Sequence, residues 1–282
     1  MKKYAFLFPG QGAQFSGMAK DLWEQSAAAK DCLANLSKAM GEDLEALLWN
    51  TDEAELARSD RCQPAILAAS LLAAVFLGER GVVPSAAAGF SLGEFPAMYM
   101  AGVLSLADTA RVVRDRGKIM QRVCEAIASR SHAVGTAGVG TKPGMAAVIG
   151  LAPEIVEQIV GQCGDVYGAN FNSSRQTVVS GTAAGLVKAV AAFKEAGARR
   201  VLSLAVAGPY HSPLMQEAAD EFASVITRVD FHDPSIPFFS NVTGARAVSG
   251  AEIKRNAVLH LVRPVRWTAE EDALAALMAL DS

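Results

Sequence analysis

The chain has 282 residues, of which 51% are hydrophobic and 20% charged, and its formal net charge is −3. This composition supports a large buried core and excludes a disordered chain. Neither a basic excess nor a run of Lys or Arg is present, so nucleic acid is not expected as a partner. The most apolar stretch, 64–78, is shorter than the ~20 residues that cross a bilayer and predicts a buried helix, so no membrane association is expected.

The four cysteines are widely spaced and lack the spacing of zinc ligands or of a disulfide framework. A reducing compartment suits them. The apolar run 4–8 ends at Pro9-Gly10, which makes it shorter than the ~7–15 apolar residues of a secretory signal. We therefore expect a cytoplasmic protein.

The first half of the chain predicts a strand, then helices, then a second strand. Residues 4–8 form a short apolar run that suits a buried strand and leads into a Gly-rich loop, 9–17. Further elements are predicted as a helix from about 18, helices within 56–77, a buried strand end at 86–89, and helices at 93–101 and 106–127. Residues 129–144, rich in Ser, Gly, Thr and Ala, predict a long surface loop and a domain boundary.

The pattern of predicted strands and helices changes after this loop. Strands at 145–149, 166–170, 176–180 and 200–204 and helices at 153–162 and 183–196 give the order βαββαβ, which is typical of a ferredoxin-like unit. Helices with short strands return at 213–229, 236–240 and 269–280. The prediction is an α/β protein with a larger, discontinuous α/β-hydrolase-like domain, 1–128 and 205–282, built on a parallel sheet. A small ferredoxin-like domain, 129–204, is inserted into it.

A candidate nucleophile lies where the second strand meets a helix. Ser91 is the centre of a GxSxG pentapeptide, Gly89 to Gly93. The glycines permit the sharp turn that exposes the serine hydroxyl, and the N–H groups of the next helix face a developing oxyanion. Since such pentapeptides also occur by chance, this motif needs supporting context.

A serine nucleophile needs a base, and four histidines are available: His132, His211, His232 and His260. His211 lies in a rigid turn, 208–213, before a helix, where a side chain can be held at a cleft. His132 falls in the predicted loop, and His232 follows a predicted surface helix. This ranking favours His211 without excluding the others.

Two further features suit acyl transfer. The Gly-rich loop after the first strand lies where ligand crevices of α/β sheets form, and its N–H groups can complete an oxyanion hole. A phosphate loop is the alternative, but the GK[ST] ending is missing. Arg111, Arg114 and Arg116 recur along one helix, and any that faces the serine would bind a carboxylate of the acyl group through a bidentate fork.

Short motifs in a fixed order then carry a family resemblance: FPGQGAQ, QPAIL, GFSLGE, RDRGKIMQ, GMAAVIG, ANFNSSRQTVVSG, GPYHSPLM, SNVTG and LVRPVRW. Over nearly its whole length the chain resembles the malonyl-CoA:acyl carrier protein transacylases of fatty acid synthesis. The acyltransferase domains of polyketide synthases are more distantly similar. An inserted ferredoxin-like domain is also part of that family's architecture.

The resemblance implies a role for each matching residue. Ser91 takes the acyl group as an ester and His211 activates it, while the backbone N–H groups of Gln11 and Leu92 form the oxyanion hole. Arg116 is similar to the arginine that binds the malonate carboxylate. The remaining implied residues are Gln63, Asn170 and Gln176, which line the acyl and pantetheine cleft, and His260, whose main-chain carbonyl orients His211.

The chain departs from the family pattern in three places. His260 stands where relatives usually have Gln, Phe90 replaces a common His, and 172–175 differs from the usual Asn-x-Pro-Gly turn. Because the family uses the main-chain carbonyl at position 260, we expect that substitution to be tolerated. A second imidazole near His211 is expected to shift local pKa values.

The implied substrates are malonyl-CoA and phosphopantetheinylated acyl carrier protein, with no cofactor, no metal and a monomeric enzyme. Acyl carrier proteins are acidic, so candidates for a docking face are the basic residues Lys188, Lys194, Arg199 and Arg200. Two other functions are weighed. One is an α/β-type hydrolase with Asp165 as the third triad member; the other is a non-catalytic module that binds CoA or the carrier.

Overall fold

The computed structural model describes residues 3–131 and 142–280. Their helices are α1 (Lys20–Gln25), α2 (Ala27–Met40), α3 (Leu44–Trp49), α4 (Glu53–Leu56), α5 (Ser59–Gly78), α6 (Glu94–Met100), α7 (Leu106–Arg130), α8 (Pro153–Cys163), α9 (Ala183–Glu195), α10 (Gln216–Ile226), α11 (Gly250–Leu259) and α12 (Trp267–Leu280). The strands are β1 (Ala5–Phe8), β2 (Ala86–Gly89), β3 (Gly144–Ile149), β4 (Val166–Ser173), β5 (Gln176–Gly181), β6 (Arg200–Ser203), β7 (Phe238–Ser240) and β8 (Ala245–Ala247).

The first sheet has the strand order β1-β2-β7-β8, with β1, β2 and β7 parallel and β8 antiparallel to β7. All four residues of β2 are buried, as expected for a central strand covered on both faces. Three of them are alanines, and such small side chains let helices approach the sheet closely. The carboxyl end of β2 leads directly to Ser91.

Helix α5 lies in the main hydrophobic core, which also contains side chains of the first sheet. It is long and apolar enough to span a membrane by length and composition, yet 61% of its apolar window is buried within the protein. It packs against α2 and α7. The prediction of a buried core helix from 64–78 is therefore confirmed, and the helix begins earlier, at Ser59, with Pro64 inside its first turns.

The second sheet has the order β4-β5-β3-β6, and β3 pairs antiparallel with both β5 and β6. The predicted order βαββαβ is present. Alternate residues of β3 face opposite sides: Ala146 and Val148 pack in a core with Leu186 of α9. Met145 and Ala147 belong to the main core instead. One face of this sheet is therefore covered by α8 and α9, and the other is turned towards the first sheet.

Strand β4 is hydrogen-bonded to the segment between α11 and α12. Val265 forms an isolated parallel bridge with Asn170, and its N–H donates to the Ala169 carbonyl at 2.8 Å. The Phe171 N–H donates in turn to the Val265 carbonyl at 2.9 Å. These bonds fix the second sheet beside the segment that leads from α11 to α12.

Two predicted boundaries need correction. Helix α7 continues to Arg130 instead of ending near 127, because Ser129 Oγ and Arg130 Nε both donate to the Ala126 carbonyl and extend the last turn. The predicted loop therefore begins later than 129, and its residues 132–141 lie outside the described part of the chain. Strand β8 and helix α11 were not predicted, since β8 has only three residues and α11 mixes charged with apolar side chains.

Candidate active site

Ser91 lies at a sharp turn between β2 and α6, in a single 3₁₀ turn, Ser91–Gly93. Its φ of 51° is left-handed, a costly conformation for a residue with a side chain. The flanking glycines permit the turn. A Cβ on Gly89 would lie 1.9 Å from the Gly93 carbonyl oxygen, and one on Gly93 would lie 2.1 Å from the Phe8 carbonyl oxygen. The GxSxG spacing is thus a steric requirement of this turn.

His211 faces Ser91 across the cavity. The distance from Ser91 Oγ to His211 Nε2 is 2.9 Å, and that from His211 Nδ1 to the His260 carbonyl oxygen is 2.8 Å. A carbonyl can only accept, so Nδ1 carries the proton and Nε2 is left with the lone pair that can take the serine proton. The sequence-based pairing of Ser91 with His211 is brought together by the fold, and so is the predicted carbonyl partner.

The environment of His211 favours its neutral form. Burial lowers the pKa of His211 well below its usual value, and the charges of His260 and Arg116 lower it further. Like Ser91, His211 has a left-handed backbone, with a φ of 56°. Both side chains of this hydrogen-bonded pair are therefore held on strained main chain.

An unpredicted amide holds the nucleophile's main chain. The Ser91 N–H donates to Asn241 Oδ1 at 2.7 Å, and Asn241 Nδ2 donates to the Gly89 carbonyl at 2.8 Å and to Glu270 Oε2 at 2.6 Å. The Asn241 N–H donates to Glu94 Oε1 at 2.7 Å. Asn241 and Glu94 both fall within motifs noted in the sequence, SNVTG and GFSLGE, and those motifs were the one available signal.

Glu270 is a buried carboxyl in the same network. Burial and then the charge of Glu94 raise the pKa of Glu270 to about 9, so this side chain is protonated at neutral pH. Because Glu270 is neutral, its carboxyl group can lie near that of Glu94 without charge repulsion.

Arg116 projects from α7 into the same cavity, although its side chain is almost fully buried. Its Nη1 donates to Gln63 Oε1 at 2.8 Å, while Nε and Nη2 have no hydrogen-bond partner among the described residues. Desolvation lowers the pKa of Arg116 to about 10, which leaves the guanidinium charged at neutral pH. A buried cation with two free donors is a site for an anion.

The site cavity has a volume of about 270 Å³. The predicted residues that line it are Gln11, Ser91, Leu92, Arg116, Asn170, Gln176 and His211. Gln63 does not line it and instead supports Arg116 from behind. Gly10 lets the first loop approach, because a Cβ there would lie 2.4 Å from the Phe90 carbonyl oxygen. The loop thus brings Gln11 beside Ser91.

Among the described residues, the other candidate histidines and arginines do not line this cavity. His232 is exposed, His132 is outside the described residues, and Arg111 pairs with Asp108 at the surface. Phe90, next to Ser91, lines the cavity and packs edge-on against Trp267 with ring centroids 5.4 Å apart. A larger cavity of about 800 Å³ lies between β1, α1 and α5, is lined mostly by apolar side chains, and contains none of the predicted site residues.

Comparisons with known proteins show the family to which the chain belongs. Residues 5–279 match the family described as the acyl transferase domain. A malonyl CoA-acyl carrier protein transacylase from Bacillus subtilis (strain 168) is 38% identical over 99% of this chain and 84% of its own length. The crystal structure of an acyl carrier protein S-malonyltransferase from Vibrio cholerae superposes with a TM-score of 0.88 at 35% identity, covering 98% of this chain and 87% of that one.

A second solved structure is a malonyl-transacylase in complex with a type II polyketide synthase acyl-carrier protein. It has a TM-score of 0.87 at 34% identity and covers 98% of this chain and 86% of that one. The family model and these relatives identify an acyltransferase. The chain belongs to the acyl transferase domain family.

Proposed function

We propose that this enzyme transfers a malonyl group from malonyl-CoA to the phosphopantetheine thiol of an acyl carrier protein, through a malonyl ester on Ser91. One observation carries the proposal: the Ser91–His211 pair and the unpaired guanidinium donors of Arg116 face the same small cavity. A serine–histidine pair can catalyse acyl transfer, and the buried cation selects an acyl group with a free carboxylate. The names of the relatives agree with both halves.

The first half-reaction forms the ester. His211 Nε2 takes the Ser91 proton as Oγ attacks the thioester carbonyl, and the resulting oxyanion is stabilised by the N–H groups of Gln11 and Leu92. The C–S bond then breaks, and the proton on His211 passes to the leaving CoA sulfur. The products are malonyl-Ser91 and CoA thiol.

The second half-reaction reverses these steps with a different thiol. The phosphopantetheine thiol of the carrier gives its proton to His211, its sulfur attacks the ester carbonyl, and Ser91 Oγ recovers a proton as it leaves. The His260 carbonyl keeps His211 in the required tautomer throughout. Arg116 holds the malonyl carboxylate, with Asn170 and Gln176 along the acyl and pantetheine wall.

The two-part architecture supports a cleft between domains. We assign 1–128 and 205–282 to an α/β-hydrolase-like domain and 129–204 to a ferredoxin-like domain. The strand order β4-β5-β3-β6, with both helices on one face, favours the second assignment. Residues of both parts line the cavity, for example Ser91 from the first and Gln176 from the second.

The carrier docks, in this proposal, on exposed basic residues of the smaller part: Lys188, Lys194, Arg199 and Arg200. Gln176 of β5 and Arg200 of β6 are both register partners of Ile149, one on each side of β3. Cross-strand partners share a face, so Arg200 lies on the face that bears Gln176 of the cavity wall. We further propose a monomeric cytoplasmic enzyme that supplies extender units for fatty acid synthesis.

A competing hydrolase mechanism lacks geometric support. Such an enzyme needs a carboxylate on His211 Nδ1, and that atom is occupied by the His260 carbonyl. Asp165 lies instead before β4, where its carbonyl accepts from the Thr182 N–H.

Intact-mass analysis tests the proposal. After incubation with malonyl-CoA, we expect a malonyl adduct on the wild-type chain and none on Ser91→Ala. We expect the adduct to disappear when phosphopantetheinylated carrier is added, with malonyl-carrier as the product. Rapid release of free malonate without carrier would favour the hydrolase, and absence of any adduct would favour a non-catalytic binding module.

A further inference from the structure

Glu94 is a buried carboxylate behind the reacting pair. It lies in the first turn of α6, and only 1% of its surface is exposed. Oε1 accepts the Asn241 N–H at 2.7 Å, and Oε2 lies 2.8 Å from His260 Nδ1. A carboxylate removed from water needs such partners, so Glu94 constrains the position of both residues.

Each of these partners contacts one of the reacting residues. Asn241 Oδ1 accepts the Ser91 N–H at 2.7 Å, and the His260 carbonyl oxygen lies 2.8 Å from His211 Nδ1. Glu94 is thus connected, through one residue on each side, to the main chain of the nucleophile and to the ring of the base. Both reacting residues have left-handed backbones, which persist only where the surroundings fix them.

The His260 ring lies directly beside the His211 ring. The ring centroids are 5.0 Å apart, and the planes are tilted by 35°. Neither nitrogen of the His260 ring has a hydrogen bond of good geometry among the described residues, so the short contact with Glu94 is chiefly electrostatic. A proton on Nδ1 makes this contact attractive, whereas an unprotonated nitrogen 2.8 Å from a carboxylate oxygen would be repelled by it.

The charged and titratable groups around the two rings come from three helices. Glu94 lies on α6, Arg116 on α7 and Glu270 on α12. His260 and Arg116 are the charges that lower the pKa of His211 beyond the effect of burial. Of these two charges, that of His260 can be removed by a substitution that keeps the main-chain carbonyl bound to His211.

We propose, building on the acyl transfer proposed above, that Glu94 and the His260 ring form a positioning pair that fixes the nucleophile and the base together and sets the acid limit of the reaction. Glu94 supplies the anchor. The His260 ring supplies a charge that keeps His211 unprotonated at lower pH than burial alone would. Asn241 carries the constraint to Ser91.

The main test is His260→Gln, which retains the carbonyl and removes the ring charge. The readout is the pH profile of kcat/KM for formation of the malonyl adduct. Without the neighbouring charge His211 binds a proton more readily, so we expect the acid limb to move to higher pH by about half a unit to one unit, with KM at pH 8 unchanged. His232→Gln, the same change at an exposed histidine, should leave the profile in place.

A second variant tests the pairing itself. Glu94→Gln keeps an oxygen for the Asn241 N–H but loses the charge that faces His260. We expect slower adduct formation at every pH, and a smaller effect of this change when His260 is already Gln. A His260→Gln profile that superimposes on the wild type, or strictly additive effects of the two changes, would overturn the pair.

One further measurement uses the wild-type protein and does not depend on whether the variants fold. Long-range ¹H–¹⁵N NMR should show a proton on His260 Nδ1, and an unprotonated Nδ1 would contradict the contact with Glu94. The proposed function fails separately: absence of wild-type malonyl transfer would overturn it. Normal transfer with an unmoved acid limb would overturn only the positioning pair.

Discussion

Gln63 holds Arg116 from behind the cavity wall: its Oε1 atom accepts a hydrogen bond from Arg116 Nη1 at 2.8 Å. Gln63 is fully buried on α5, and Arg116 lies on the neighbouring α7. One edge of the guanidinium is thus fixed by the protein, while Nε and Nη2 have no partner among the described residues. The result is a fixed cation whose remaining donors can bind a carboxylate.

Arg116→Ala tests whether this cation selects the acyl group. We expect kcat/KM for malonyl-CoA to fall roughly 30-fold to several thousand-fold, corresponding to the loss of about 2–5 kcal/mol from a buried charge pair. Acetyl-CoA, which has no carboxylate, should react as well as before or better. Arg111→Ala, at a surface position on the same helix, is the control and should retain malonyl transfer. An unchanged malonyl preference in Arg116→Ala would remove Arg116 from this role.

Gln63→Glu tests the orientation of the guanidinium. An internal carboxylate at this position would pair with Arg116 and compete with the malonyl carboxylate, so we expect KM for malonyl-CoA to rise about tenfold or more. Acetyl transfer should change little, because acetyl does not use the guanidinium. Steady-state kinetics with both substrates measure the difference. Equal effects on the two substrates would indicate a general disturbance of the fold instead.

The pieces that the sequence predicted well are those with a local pattern. Ser91 lies in a pentapeptide whose glycines are sterically required, and β2 is a short buried run bounded by turn residues. His211 was favoured by its rigid turn, and the family resemblance then implied the roles of both His211 and Arg116. The fold then brings them together as predicted, although 120 positions separate Ser91 from His211.

The network behind the site could not be predicted in the same way. Asn241 is 147 positions from Glu94 and 29 from Glu270, and single amides and carboxylates at such separations produce no periodic signal. The role of Gln63 also changed, from a cleft residue to a support of Arg116, since a motif match does not say which way a side chain points. Such contacts depend on packing between distant elements.

Glu270→Gln tests the neutral buried carboxyl. The folded chain holds the pKa of Glu270 at about 9, whereas an ordinary glutamate ionises near 4.5. Between these values the unfolded chain releases a proton that the folded chain retains, so this group makes the free energy of unfolding fall as pH rises. Removing it should make the variant gain stability relative to the wild type between pH 6 and pH 8.

Urea unfolding at the two pH values measures this effect. Asp272→Asn, at an exposed position on α12, is the control and should show no such change with pH. A Glu270→Gln variant whose stability follows the wild type in parallel at both pH values would show that Glu270 is ionised in the folded chain.

Gly93→Ala tests the steric origin of the serine turn. The added Cβ would lie 2.1 Å from the Phe8 carbonyl oxygen and 2.9 Å from that of Pro9, and both are main-chain atoms that cannot rotate away. We expect the free energy of unfolding to fall by about 3 kcal/mol or more, with loss of the malonyl adduct because Ser91 moves with the turn. Gly161→Ala, on the exposed side of α8 with no atom within 4 Å of the new Cβ, should instead stabilise the chain by about 0.5–1 kcal/mol. Equal stability of the two variants in urea would mean that the turn relaxes around the methyl group, and the glycine would then be required for a reason other than close approach to β1.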